Sequence, residues 1–167
     1  MSSAPAKRHF RSDDPAVPDR GLMIREPWVS QILMSRKSWE LRGVTTKVRG
    51  RLALIRSKSG LVVGEAELVD CIGPLSLETL LSTGALSQME KDEIEQQGRP
   101  PYVQTDDVTS KTFAWVMSNP ILYSRPIPYK HPSGAITFVD LTKPGVLRST
   151  EASSSTTETG TGQLQLL

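Results

Sequence analysis

The sequence holds one cysteine, Cys71, and two histidines, His9 and His131. One thiol excludes an intramolecular disulfide and any zinc site built on cysteine. Two distant histidines argue against a multi-histidine metal centre and against a Ser/His/Asp triad. Glycine-rich phosphate loops are missing too, since GRPPY and GPLS do not have that form. No cofactor or metal is therefore expected. No apolar run approaches the ~20 residues of a membrane span, and the N-terminus lacks the apolar centre of a signal peptide. A single cysteine, read as a small core residue after Leu68-Val69, suits a reducing, cytoplasmic setting. Charge of one sign is scarce as well: the net is only +2. Nucleic acid is neither demanded nor excluded by that balance, and the clustering of basic residues decides.

The 167 residues fit one domain, and 37% hydrophobic residues suffice for a core. Residues 1–20 carry prolines and charges and read as a flexible leader. Residues 143–167, with STEASSSTTETGTG, read as a disordered tail that cannot bury enough apolar area to offset its ordering. The domain is thus expected over 21–142. Leu22–Ile24 predicts a short strand. Pro27 suits the first turn of a helix over 27–35, with Val29, Ile32 and Leu33 on its apolar face. Ser38–Arg42 alternates as a half-buried strand, with Trp39 and Leu41 on one side and Glu40 and Arg42 on the other. Strands follow at Leu52–Ile55 and Leu61–Val69, joined by the hairpin turn SKSG at 57–60. Helices are predicted over 76–83 and 87–97, with Ser76 and Ser87 as N-caps and Ser87 with Glu90 in capping-box form. Gly98 ends the second of them. Phe113–Met117 and Ala135–Leu141 complete the strands. The pattern predicts an α+β fold with a curled sheet and two or three short helices.

Chemistry concentrates in REPWVSQILMSRKSWELRG, residues 25–43. Glu40 and Arg42 point the same way on a strand, and Lys37 at the helix–strand junction can converge on them. An acid between two cations is expected to stay ionised. Such a trio offers donors and an acceptor together, as nucleobase edges require. An ordinary surface ion-pair cluster fits the same spacing. Replacing an exposed Lys37 is then expected to cost no more than about 0.5 kcal/mol.

Arg36, Lys47, Arg49, Arg51, Arg56 and Lys58 crowd residues 36–58, where Glu40 is the sole acid. They suit either a phosphate backbone or a solvated basic face. Trp28 is placed to stack on a base or to pack on the sheet, whereas Trp39 and Trp115 read as core. Glu65 and Glu67 share a strand face and more often pair with a basic neighbour than perform acid–base work. Glu90 to Glu95 reads as a solvated helix face.

The segment resembles the ASCH (activating signal cointegrator homology) family. That family's pattern, Gly-x-Lys-x-x-Glu-x-Arg, follows a helix opened by Pro-Trp. Here Pro27-Trp28 open the helix and Ser35-x-Lys37-x-x-Glu40-x-Arg42 follow, with serine in the glycine position. If the glycine serves a left-handed turn, Ser35 must adopt it at a steric cost. VVGEAELVDC, TFAWVMSNP and PIPYKHPSGA extend the likeness over roughly 22–141. The resemblance implies a PUA-like curled β-barrel with a cleft lined by Lys37, Glu40 and Arg42. It also implies binding of RNA, a nucleoside or a modified nucleotide, with Trp28, Arg49, Arg51, Arg56 and Lys58 assisting. The alternative is a small amidohydrolase acting on N4-acetylcytidine or a related acylated nucleobase. Small bacterial relatives of that kind carry threonine in place of Glu40 and use a separate glutamate. Their threonine mechanism therefore does not transfer; Glu40 would activate water and Lys37 would stabilise the oxyanion.

Overall fold

The computed structural model describes residues 6–8, 17–103 and 110–147. Most of the expected leader and tail lies outside these residues. Seven strands and three short helices follow in order: β1 (Ala6–Arg8), β2 (Arg20–Ile24), α1 (Trp28–Leu33), β3 (Trp39–Arg42), β4 (Gly50–Arg56), β5 (Leu61–Ile72), α2 (Leu77–Ser82), α3 (Gln88–Gln97), β6 (Phe113–Pro128) and β7 (Phe138–Asp140). They form one curled α+β sheet of the PUA-like kind in the order β1-β6-β5-β4-β2-β7, with β3 also on β6. The hairpin of β4 and β5 turns at 57–60, as the SKSG sequence predicts.

β2 runs parallel to β4, with Ile24 opposite Arg56, and antiparallel to β7, with Arg20 opposite Asp140. β6 is far longer than the expected Phe113–Met117. Its Ser118, Asn119 and three prolines interrupt the apolar alternation, yet pairing with β5 carries on to Pro128 through register shifts. The shifts insert extra residues, mostly on β6, and sharpen the local twist, so the sheet curls.

Both faces of the sheet are covered. On β4, Leu52 and Leu54 join a cluster beneath α1 with Ile24, Val29, Leu33 and Trp115. Ala53 and Ile55 face a second cluster with Val62, Tyr123 and Val139. This two-sided burial explains why β4 reads as an unbroken apolar run. A third cluster, including Leu41, Leu80, Leu86 and Ile94, seats α2 and α3. Gly64 lets α1 approach: a Cβ there would press on Leu33 Cδ2 and lie 2.5 Å from the Ile121 carbonyl oxygen.

The described structure departs from the expected boundaries at both ends. Residues 6–8 form β1 within the stretch read as leader. Beyond 142, Val146 is buried in the second cluster and Leu147 bridges Tyr129. These apolar contacts are too brief to stand out from their polar flanks in sequence. Cys71 is only partly buried at the margin of the first cluster.

Candidate functional site: a polar cleft over the β3 strand

The site begins where α1 stops. Met34 N–H bonds to Ser30 O, and Ser35 turns left-handed at φ 58°, the conformation expected of the glycine position. Arg36 and Lys37 then donate their N–H groups back to Gln31 O at 2.8 and 3.3 Å. This turn aims the Lys37 side chain inward. Ser38 and Trp39 N–H bond to Ala85 O, and Met117 N–H bonds to Ser38 O, which launches β3 against β6. On β3, Glu40 lies opposite Trp115 and Arg42 opposite Phe113.

Arg42 donates from Nε to Glu40 Oε1 at 3.1 Å and from Nη2 to Met23 O at 2.6 Å. Its guanidinium lies 5.4 Å from the Trp115 ring centroid. That ring stacks on Phe138 at 5.6 Å and donates from Nε1 to Val44 O, so the platform under Arg42 is fixed.

Lys37 departs from its expected position. Its residue exposure is 3%, and Nζ lies 2.6 Å from Glu90 Oε2, 3.9 Å from Glu40 Oε2 and 4.7 Å from the Trp28 ring centroid. It is a buried cation behind two carboxylates and a ring, and no part of it borders the main cleft. The low cost expected for changing it is corrected accordingly. Glu90 is corrected too. It is 6% exposed, turned inward from α3 onto Lys37, and does not belong to a solvated face. Ser87 Oγ still caps the helix by accepting from Glu90 N–H.

The cleft has a volume of about 450 Å³. Glu40, Leu41 and Arg42 form its floor, and Trp28 stands at one side. Glu90, Glu93, Ile94 and Gln97 of α3 form one wall. Arg25 and Ser57 come from the ends of β2 and β4. Tyr102 and Ile136 stand at the rim, and Ile136 is 84% exposed. Thr112 of the β6 approach donates to the Pro101 carbonyl and Tyr102 donates to Leu41 O, which ties this rim to the sheet.

Burial pushes the Glu40 carboxyl above its ordinary 4.5, although Arg42 and Lys37 pull it down. The expected easy ionisation between two cations is therefore reversed, because desolvation outweighs the pairing. Burial likewise raises Glu90 against the pull of Lys37, and raises Tyr102, with the Glu40 charge adding to it.

Of the expected site residues, Trp28, Glu40 and Arg42 border the cleft, and Lys37 supports them from behind. The other four do not border it. Arg49 reaches Asp70 and the carbonyls of Thr46 and Val48. Arg51 pairs with Glu65 and Asn119 O. Arg56 pairs with Glu26, and Lys58 occupies the exposed β4–β5 turn. Glu65 is buried between Arg51 and the Tyr123 hydroxyl, as a carboxylate paired with a basic strand should be. The sequence reading missed Arg25, Ser57, Glu90, Glu93 and Tyr102. Leu86, Glu90 and Ile94 recur at intervals of four, which places Glu90 on the buried face of α3 and was the available signal. Among the described residues no cluster of His, Cys, Asp or Glu is arranged to hold a metal, and no helix is long and apolar enough to cross a membrane.

A curled mixed sheet whose helices roof a charged cleft defines a PUA-like domain. Residues 22–126 match the ASCH domain family, and the chain belongs to it. The ASCH protein of Zymomonas mobilis is similar in fold. A tyrosine-to-phenylalanine mutant of it aligns at a TM-score of 0.50 and 16% identity, covering 74% of this chain and 90% of that one. A further structure of that protein gives 0.46 and 17%, covering 74% and 87%. No curated protein matches the chain.

Proposed function

We propose that the cleft binds an unstacked nucleobase, carried in RNA or in a modified nucleotide. The observation that carries this reading is the Glu40–Arg42 pair on the cleft floor. It sets a carboxylate acceptor beside guanidinium donors, the mixture that a base edge with an amine and a carbonyl requires. Trp28 borders the same space and supplies a ring for stacking. Lys37 acts as a positioning residue: it holds Glu40 and Glu90 in place from behind. Membership of the ASCH family agrees with contact to nucleic acid.

The test is titration of nucleosides and short single-stranded RNA into the protein and into Trp28→Ala and Arg42→Ala variants. Loss of stacking in Trp28→Ala is expected to weaken binding by about 1–3 kcal/mol. Arg42→Ala should remove most of the discrimination among bases. Unchanged affinity in both variants refutes the base-binding reading.

A second reading, hydrolysis of an acylated nucleobase, has one observation in its favour. Two buried carboxyls, Glu40 and Glu90, are both raised and share one ammonium, an arrangement suited to passing a proton. In that reading water adds to the acyl carbonyl, the C–N bond breaks, and a free amine and a carboxylate leave. Lys37 is enclosed by its partners, so oxyanion stabilisation would fall to Arg42 or Arg25. Release of acetate from N4-acetylcytidine, abolished in Glu40→Gln, is the outcome that would select it.

A further inference from the structure

The cations of the cleft are not equivalent. Arg42 is committed to Glu40 and to the Met23 carbonyl. Lys37 is sealed behind the floor. Arg56, next to the rim, is committed to Glu26. Arg25 is different: it borders the cleft, is exposed, and its guanidinium makes no hydrogen bond or ion pair among the described residues, although its carbonyl accepts from Val29 N–H. Its charge nonetheless reaches the floor, where it acts on Glu40 and on Tyr102.

Arg25 also has a companion. β2 and β4 are parallel and end together, so the residue after each strand emerges at the same place. Ser57 N–H bonds to Ile24 O at 3.0 Å, which sets Ser57 beside Arg25. The Ser57 hydroxyl has no hydrogen-bond partner among the described residues and borders the cleft as well. A guanidinium fork beside a hydroxyl, neither bonded to another side chain among the described residues, presents several donors together, the donor set that grips phosphate oxygens. Glu93 lies on the α3 wall and repels an anion there, which leaves the β2–β4 side as its seat.

We propose that Arg25 and Ser57 form a phosphate subsite at the mouth of the cleft, so that the ligand is a phosphorylated nucleoside unit and not a free base or nucleoside. The proposal rests on the base-binding reading and adds to it. A cleft of about 450 Å³ holds more than a base and leaves room for the sugar and phosphate.

The experiment compares four probe classes by calorimetry at low salt: nucleosides, their 5′- and 3′-monophosphates, a short oligoribonucleotide with hydroxyl ends, and inorganic phosphate. A charged hydrogen bond is expected to favour a monophosphate or the oligonucleotide over the nucleoside by about 10–100-fold, a margin that shrinks as salt rises. Arg25→Ala should bring the two within about threefold by weakening the phosphorylated probes far more than the nucleoside; Arg25→Lys should keep part of the margin. Preference for the oligonucleotide assigns the phosphate to an RNA chain, and preference for a monophosphate assigns it to a free nucleotide. Equal affinity for nucleoside and nucleotide overturns the subsite, as does an equal loss for both in Arg25→Ala. If Trp28→Ala and Arg42→Ala both leave nucleoside binding intact while Arg25→Ala still acts, the base reading fails and the phosphate grip survives. Absence of binding by every probe at millimolar concentration overturns both.

Discussion

Replacing Lys37 by methionine tests the buried cluster most directly. The substitution keeps the length of the side chain and removes its charge, so no large cavity contributes. Glu90 Oε2 then loses a cation at 2.6 Å, and Glu40 loses one at 3.9 Å, both inside the protein. Breaking one partner of a buried pair costs about 3–5 kcal/mol, because the remaining charge stays desolvated. For a domain of this size that corresponds to a fall in Tm of roughly 10–15 °C. The assay is urea denaturation at pH 7 of Lys37→Met, Glu90→Gln and the double variant. Glu90→Gln should rescue much of the loss, since it removes the stranded carboxylate, and the cycle should return a coupling above about 1 kcal/mol. The loss in Lys37→Met should also shrink toward acid pH, where the stranded carboxyls take up protons. A loss within about 0.5 kcal/mol, as for a surface lysine, refutes the buried cluster.

Three further outcomes follow from the geometry. Ser35→Gly should stabilise the fold by roughly 0.5–1 kcal/mol, because relief of the left-handed strain at φ 58° exceeds the added chain entropy; a loss of stability on melting contradicts this. Gly64→Ala should destabilise by about 1–3 kcal/mol, as the new methyl presses on Leu33 and the Ile121 carbonyl, and a neutral denaturation midpoint counts against the close α1 packing. The pH dependence has an unusual sign. Glu40 and Glu90 are raised above 4.5 in the folded protein, so the native state binds more protons than the unfolded chain. Their contribution is fully present below 4.5 and is lost as pH climbs through the raised values. Relative to a Glu40→Gln/Glu90→Gln variant, the unmodified protein should lose stability over that rise; parallel pH profiles rule it out.

The local features of this fold were legible because short-range rules govern them. Ser76 and Ser87 accept from the N–H groups three residues on, as their positions before apolar periodic segments imply. Gly98 adopts φ 65° at the end of α3, and Ser35 takes the turn that the motif's glycine position demands. Glu40 and Arg42 share a face because strands alternate. What the sequence hid was decided by tertiary contact. Lys37 and Glu90 stand far apart in the chain and meet only when α3 packs on β3. Charged residues seldom lie fully buried unless paired, so each alone reads as surface. Arg49, Arg51 and Arg56 looked like one basic patch because a linear count ignores partners; Asp70, Glu65 and Glu26 reach them across strands or from the next turn. The rim at Pro101 and Tyr102 carries no periodic signal and is held by the bonds of Thr112 and Tyr102.

The pairing of β2 with β7 places Arg20–Leu22 against Phe138–Asp140, residues that bracket nearly the whole domain. A nascent chain emerging from the ribosome thus lacks this seam until its last strand has been made. Assembly through such distant partners is slow, since loop closure must precede any reward from contact. Met23 and Arg25 sit at the end of β2 and Ile136 just before β7, so the cleft draws its lining from both ends of the domain.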